Sequence, residues 1–143
     1  LVSDVSIVEG ALDIQGIRAS VTDPRAGAVV LFEGCARDHH GGLAVQELGY
    51  EAFGPMAERE LALLRNQAIE RFGLCRCTVH HRVGTVPLTE TAVAVATSAP
   101  HRREAFEAAM WIMEAVKERV PVWKRERYSE GGENWVEGEN RLR

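Results

Sequence analysis

Two short runs, residues 28–32 (Ala-Val-Val-Leu-Phe) and 91–97 (Thr-Ala-Val-Ala-Val-Ala-Thr), carry almost nothing but apolar side chains. Strand side chains alternate between faces, so a strand of this kind must be covered on both sides. The runs are too short to be buried helices, and β-branched residues favour the extended form. Both are therefore expected to be strands buried on both faces. The chain must also supply cover. Gly54-Pro55 opens a helix with proline in its first turn. Ala57, Leu61, Leu64, Ala68 and Phe72 then recur at helical spacing, and Gly73 ends the segment. A second helix follows residues 98–101 and runs to about Val120, stopped by Pro121. Its apolar stripe reads Phe106, Met110, Met113 and then Lys117, widened by Ala109, Ile112 and Val116. Strands, helix, strands, helix is the order of an α+β domain: a largely antiparallel sheet with two long helices packed on one face.

The remaining segments fit around that frame. Residues 5–8 alternate weakly and suggest an edge strand. Asp13 is placed to cap a short helix carrying Ile14, Ile17, Arg18 and Val21, although Gly16 weakens it. Residues 43–53 are expected to form a strand antiparallel to the first apolar run across the loop Asp38-His39-His40-Gly41-Gly42. In residues 74–83, Cys75, Cys77, Val79, His81 and Val83 share one strand face, and Arg76, Thr78, His80 and Arg82 the other. Trp135-Val136 is a possible short strand in the Gly- and Glu-rich tail. The 143 residues are expected to form a single domain, with no repeat or linker. No apolar run approaches the ~20 residues of a membrane span. Residues 1–10 lack a basic region before an apolar core, so no signal peptide is expected. Three cysteines do not make a disulfide framework, and a reduced, cytoplasmic protein is expected.

Charge locates the chemistry. Residues 117–127 hold Lys117, Arg119, Lys124, Arg125 and Arg127 against Glu118 and Glu126, a local balance of +3 in a chain of net charge -4. A cationic knot in an acidic chain suggests a small anionic ligand; a nucleic-acid binder would be basic throughout. Lys117 falls on the apolar stripe of the last helix. It can snorkel outward, or it can sit in a partly dry pocket beside other cations, where it would suit acid/base or nucleophilic work. His101 and Arg102 stand at the start of the same helix, where free backbone N–H groups favour an anion such as phosphate. Exposed basic residues at that place also occur without a ligand. Arg37 follows a strand and precedes a Gly-rich loop, a frequent position for ligand contacts.

A metal site is not expected. Cys75 and Cys77 are one residue apart, and the His39-His40 and His80-His81 neighbours point to opposite strand faces. The cysteines suit packing as small hydrophobes. There is no GxGxxG or GxxxxGK[ST] pattern, and no cofactor is implied.

Several blocks, taken together, resemble one family. They are Gly27-Ala28-Val29-Val30 leading to Gly34-Cys35-Ala36-Arg37-Asp38-His39; Leu48-Gly49-Tyr50-Glu51-Ala52; His81-Arg82-Val83-Gly84; residues 97–102 with 105–108; and Lys117 through Pro121-Val122-Trp123-Lys124-Arg125-Glu126. From about residue 5 to residue 137 the chain resembles the large, catalytic subunit of molybdopterin synthase. The resemblance implies an α+β fold of hammerhead type, catalytic lysines at Lys117 and Lys124, and substrate contacts at Arg37, His101, Arg102, Arg125 and Glu126. It implies sulfur transfer to cyclic pyranopterin monophosphate. The sulfur would come from the C-terminal Gly-Gly thiocarboxylate of a small ubiquitin-like subunit. It also implies a homodimer with one small subunit at each end, a heterotetramer. Three departures stand out: Cys35, where Thr or Lys is common; Pro100 before His101; and Gly138-Glu139, where Ala-Arg occurs in some members. Arg141 and Arg143 are candidates for a tail arginine. Two other readings fit the residues alone: a Schiff-base lysine enzyme acting on a phosphorylated carbonyl compound, and a non-catalytic module that docks an acidic partner.

Overall fold

The computed structural model describes residues 1–129 and 131–137. Along the chain these form β1 (Val5–Glu9), α1 (Ile14–Ser20), β2 (Ala28–Cys35), β3 (His39–His40), β4 (Leu43–Ala52), α2 (Gly54–Phe72), β5 (Arg76–Val86), β6 (Thr91–Ala99), α3 (Arg102–Arg119), β7 (Val122–Tyr128) and β8 (Glu133–Glu137). The sheet runs β2-β6-β5-β4-β7-β8, with β1 beside β5 and β3 beside β4. Among the described residues only β1 and β5 pair in parallel. This is the α+β, largely antiparallel architecture expected, and α2 and α3 lie together on one face.

β6 explains why its sequence is apolar throughout. Val93 and Val95 enter the main core with Leu61, Leu64, Ile112 and Val116. Ala94 and Ala96 point the other way, under Ile17 and Val21 of α1. Burying a leucine or isoleucine side chain stabilises by about 1.5–3 kcal/mol, so both faces contribute. Asp13 caps α1 by accepting from the Gly16 N–H at 3.0 Å. Gly16 suits that cap, because a Cβ there would collide with the Asp13 carboxylate. α2 begins on Pro55, buries Ala57, Leu61, Leu64 and Ala68, and ends on Gly73 in a left-handed conformation (φ 63°).

Three expectations need correction. β2 is not buried on both faces: it is an edge strand, half-buried along 28–31, and Phe32 is 39% exposed. β4 does not pair with β2. The chain folds back at once through the β3–β4 hairpin, turning on Gly41 and Gly42 with φ of 60° and 80°, and β4 then lies between β5 and β7. Finally, the expected stripe of α3 is buried only in part: Met113, Ala109, Ile112 and Val116 are, but Phe106 and Met110 are not. The helix buries Ala105, Ala108, Ala109, Ile112, Met113, Ala115 and Val116, whereas Phe106 and Met110 are 60% and 64% exposed. Small alanines let α3 lie close on β6, and the larger side chains are turned to the edge beside β2.

β5 links the two halves of the sheet. Its first part pairs with β1 and β6, and Gly84 to Val86 pair with β4. Gly84 stands at the change with φ 85°, a conformation that a Cβ would strain. Through this link β4 and β7 come to lie beside the C-terminal end of α3, which is where the site forms. No helix among the described residues is long and apolar enough to cross a membrane.

Candidate active site

A cavity of about 230 Å³ opens where β2, the β2–β3 loop, α3 and β7 meet. Lys117 enters it from the last turn of α3. Pro121 has no N–H to continue the helix, so the chain leaves as β7 and brings Lys124 and Glu126 back to the same place. Those two residues share a face of β7 because strand side chains alternate. Arg37 reaches the cavity from the loop after β2, where Cys35 also lines it. Four of the seven site residues expected from sequence are thus assembled by three separate elements.

Electrostatically the cavity is cationic. Lys117 and Lys124 are half-buried, and neither has an ion-pair partner among the described residues. Arg37 is exposed. The one carboxylate lining the cavity is Glu126, which is 1% exposed and lies 2.8 Å from His40 Nδ1 through each of its oxygens. Beside Arg37, a hydrogen bond from His39 holds the Asp38 carboxyl below its usual range. Three free cations around a small cavity suit an anion and the stabilisation of developing negative charge.

Three expected residues lie elsewhere in the protomer. Arg125 points to the opposite face of β7, over Gly49, with its guanidinium 3.5 Å from Glu47. His101 stands at the N-cap position of α3 without a side-chain capping hydrogen bond, and Arg102 begins the helix, both exposed. From Arg102 to Lys117 the helix rises by about 22 Å. His101 and Arg102 therefore do not join Arg37 in the cavity of their own chain, because they sit at the other end of one straight helix. The structure also shows what the sequence reading missed: His40 as the partner of Glu126, and Tyr50 and Leu48 as part of the lining. A partner 86 residues away leaves no local signal.

A second, apolar groove of about 520 Å³ continues from the cavity between β2 and α3. Val30, Leu31, Phe32, Phe106 and Met110 line it, and Phe32, Met113 and Lys117 border both spaces. The thiols are all free: Cys35 exposed, Cys75 half-buried and Cys77 buried. Burial pushes the Cys77 thiol up to about 12. The proposed tail arginines, Arg141 and Arg143, and the departure at Gly138-Glu139 lie outside the described residues.

A family model for the MoaE protein matches residues 7–119. The chain belongs to the MoaE family. It is 43% identical to the molybdopterin synthase catalytic subunit of Pyrococcus abyssi over 98% of this chain and 95% of that one. Among solved structures it is similar to molybdopterin synthase from Staphylococcus aureus, at 33% identity and a TM-score of 0.84, covering 93% of this chain and 95% of the other. The fold is also shared, at 18% identity and a TM-score of 0.74, with a protein–protein complex of subunits 1 and 2 of molybdopterin-converting factor from Helicobacter pylori, over 97% and 92% of the two chains. For this MoaE-family chain the function is molybdenum cofactor biosynthesis, and the enzyme class is sulfurtransferase.

Proposed function

We propose that this cavity is where sulfur passes from the C-terminal thiocarboxylate of a small ubiquitin-like subunit to cyclic pyranopterin monophosphate, building the dithiolene of molybdopterin. The observation that carries the reading is the convergence of Lys117 and Lys124 on one cavity beside Arg37, with no carboxylate neutralising either lysine among the described residues. Arg37 binds the substrate phosphate through charge-assisted hydrogen bonds. Lys117, at the junction of cavity and groove, moves protons at the reacting carbons. Lys124 stabilises the anion that develops as the thiocarboxylate carbon is attacked. In each transfer the thiocarboxylate sulfur bonds to a pterin carbon in place of an oxygen substituent. Water then attacks the thioester carbon so formed, and the C–S bond to the partner breaks to leave the sulfur on the pterin and a carboxylate on the partner. Two partner molecules and two waters are thus consumed per dithiolene. The driving force for sulfur transfer resides in the thiocarboxylate, which fits a chain with no nucleotide-binding motif.

The same geometry supports an assembly. The small subunit's extended Gly-Gly tail enters along the apolar groove and ends at Lys117. His101 and Arg102 reach a cavity only in a homodimer. If two copies meet about a two-fold axis with their α3 helices antiparallel, the His101 end of one helix lies by the Lys117 end of the other. With a small subunit on each copy, the active species is a heterotetramer. Free thiols suit a reducing, cytoplasmic setting.

The test is turnover with purified, thiocarboxylated small subunit. Wild-type protein should convert the pterin phosphate to the dithiolene. A partner truncated by its two glycines should still dock but give no product. Full activity with the truncated partner, or none with the intact one, would contradict the reading.

A further inference from the structure

The buried carboxylate at the cavity has a task beyond ligand contact. Glu126 is 1% exposed, and so dry a carboxylate is costly unless paired and hydrogen-bonded. His40 meets that need, with Nδ1 at 2.8 Å from Oε1 and from Oε2. An ionised carboxylate only accepts, so His40 Nδ1–H donates. The bond joins two parts of the site. Glu126 stands two residues beyond Lys124 on β7, and His40 ends β3, three residues beyond Arg37. Backbone bonds hold the loop at Ala36, whose N–H donates to Glu90 O at 2.9 Å, and at Asp38, whose carbonyl accepts from Val45 N–H at 2.6 Å. Neither bond reaches β7; the hairpin's other arm does, since β4 pairs with β7 from Val45 onward and Ser129 N–H donates to Ala44 O at 3.0 Å, so His40 supplies a side-chain tie from the β3 arm, the one nearest Arg37.

We propose that His40 is a positioning residue: by donating to buried Glu126 it ties the Arg37 hairpin to the strand that carries Lys124, and so sets Arg37 over the cavity. The proposal rests on reading this cavity as the pterin-phosphate site. It adds a consequence for catalysis. Without the His40 donor, Glu126 turns to a cation of the same cavity, Lys117 or Lys124, and withdraws it from the reaction.

The experiment compares wild type with Arg37→Ala, His40→Ala, His40→Asn, and the Arg37→Ala/His40→Ala double variant, in turnover with thiocarboxylated small subunit. Asparagine places its amide nitrogen where histidine places Nδ1, so it keeps the donor without the ring. His40→Ala should raise KM for the pterin phosphate about tenfold or more, the scale of a hydrogen bond to a charged group. His40→Asn should return KM to within about threefold of wild type, since the donor is retained. Arg37→Ala should cost much less in the His40→Ala background than alone, because both changes remove the same placement. Additive penalties, a wild-type KM for His40→Ala, or an asparagine variant no better than alanine would overturn the proposal. Amide hydrogen exchange over residues 36–45 gives a reading that needs no substrate: faster exchange in His40→Ala and near-native exchange in His40→Asn are expected. Unchanged exchange in His40→Ala refutes the tether even if the wild type turns over no pterin, an outcome that would count separately against the proposed function. Should His40→Ala fail to fold, His40→Gln replaces it: one methylene longer, it misplaces the donor and should behave as the alanine variant was expected to.

Discussion

Lys117 and Lys124 come from different elements, a helix end and a strand, and Pro121 between them makes their meeting possible. Cys35 lines the same cavity and is the residue that most invites another mechanism, with sulfur relayed through a persulfide. A relay needs a thiolate that is reactive and close to the substrate. Cys35 is exposed, and its hydrogen-bond contacts among the described residues are long, 3.9 Å to Glu33 O and 3.9 Å to Thr91 Oγ1. In the direct route no thiol of this chain takes part. Cys35→Ser should therefore keep most of the wild-type turnover, measured with pre-thiocarboxylated partner. Loss of product in that variant, together with a wild-type adduct on Cys35 of about one sulfur atom by mass spectrometry, would replace the direct route with a relay. Cys77, buried with its thiol pushed up, should resist alkylation until the protein unfolds.

At the scale of elements, the link from α1 into β2 depends on Asp23. Its carboxylate accepts from the Arg25 backbone N–H at 2.8 Å and from the Arg25 guanidinium at 2.9 Å, with Arg76 of β5 at 3.3 Å. The Arg25 hydrogen bonds hold the Asp23 carboxyl well below the usual carboxylate range. A folded-state pKa depressed in this way gives stability that is complete above the unfolded value of about 3.9 and is lost as pH falls through the folded one. Asp23→Asn should lower the urea midpoint at neutral pH, and its deficit should shrink in strong acid; a deficit that does not change with pH contradicts the ion pair's role. How legible the elements were follows from the range of the signals. α1, α2 and β6 were readable because caps, helical spacing and two-sided apolarity are local. The pairing of β4 was not, since a sheet neighbour is chosen by tertiary contacts, and Gly41-Gly42 reverses the chain without saying which strand receives it. The face of α3 was read correctly at Ala109, Ile112, Met113 and Val116 but rotated too far towards Phe106 and Met110, which carry more apolar area than the alanines that pack. Lys117, Lys124, Arg37 and Glu126 were legible through their motifs, whereas His40 needed the fold.

At the scale of the whole molecule, the proposed reading leaves one protomer with an unfinished site: lysines and Arg37 at one end of α3, and His101 with Arg102 at the other. Two-fold pairing would supply each cavity from both chains. Lys117→Ala and Arg102→Ala homodimers should each be impaired. After unfolding and refolding together in equal amounts, the mixture should regain up to about a quarter of wild-type activity, because half the dimers are hybrids and each hybrid has one intact site of two. No recovery on mixing would place His101 and Arg102 outside the site. The account's centre remains the cavity itself, and it is tested most directly by product formation in Lys117→Ala, with thiocarboxylated partner and circular dichroism confirming the native fold. The account predicts a loss of at least about a hundredfold, the lower end for removing a general acid/base, in a protein that still folds and still binds the small subunit. Near-wild-type turnover in that variant would contradict it.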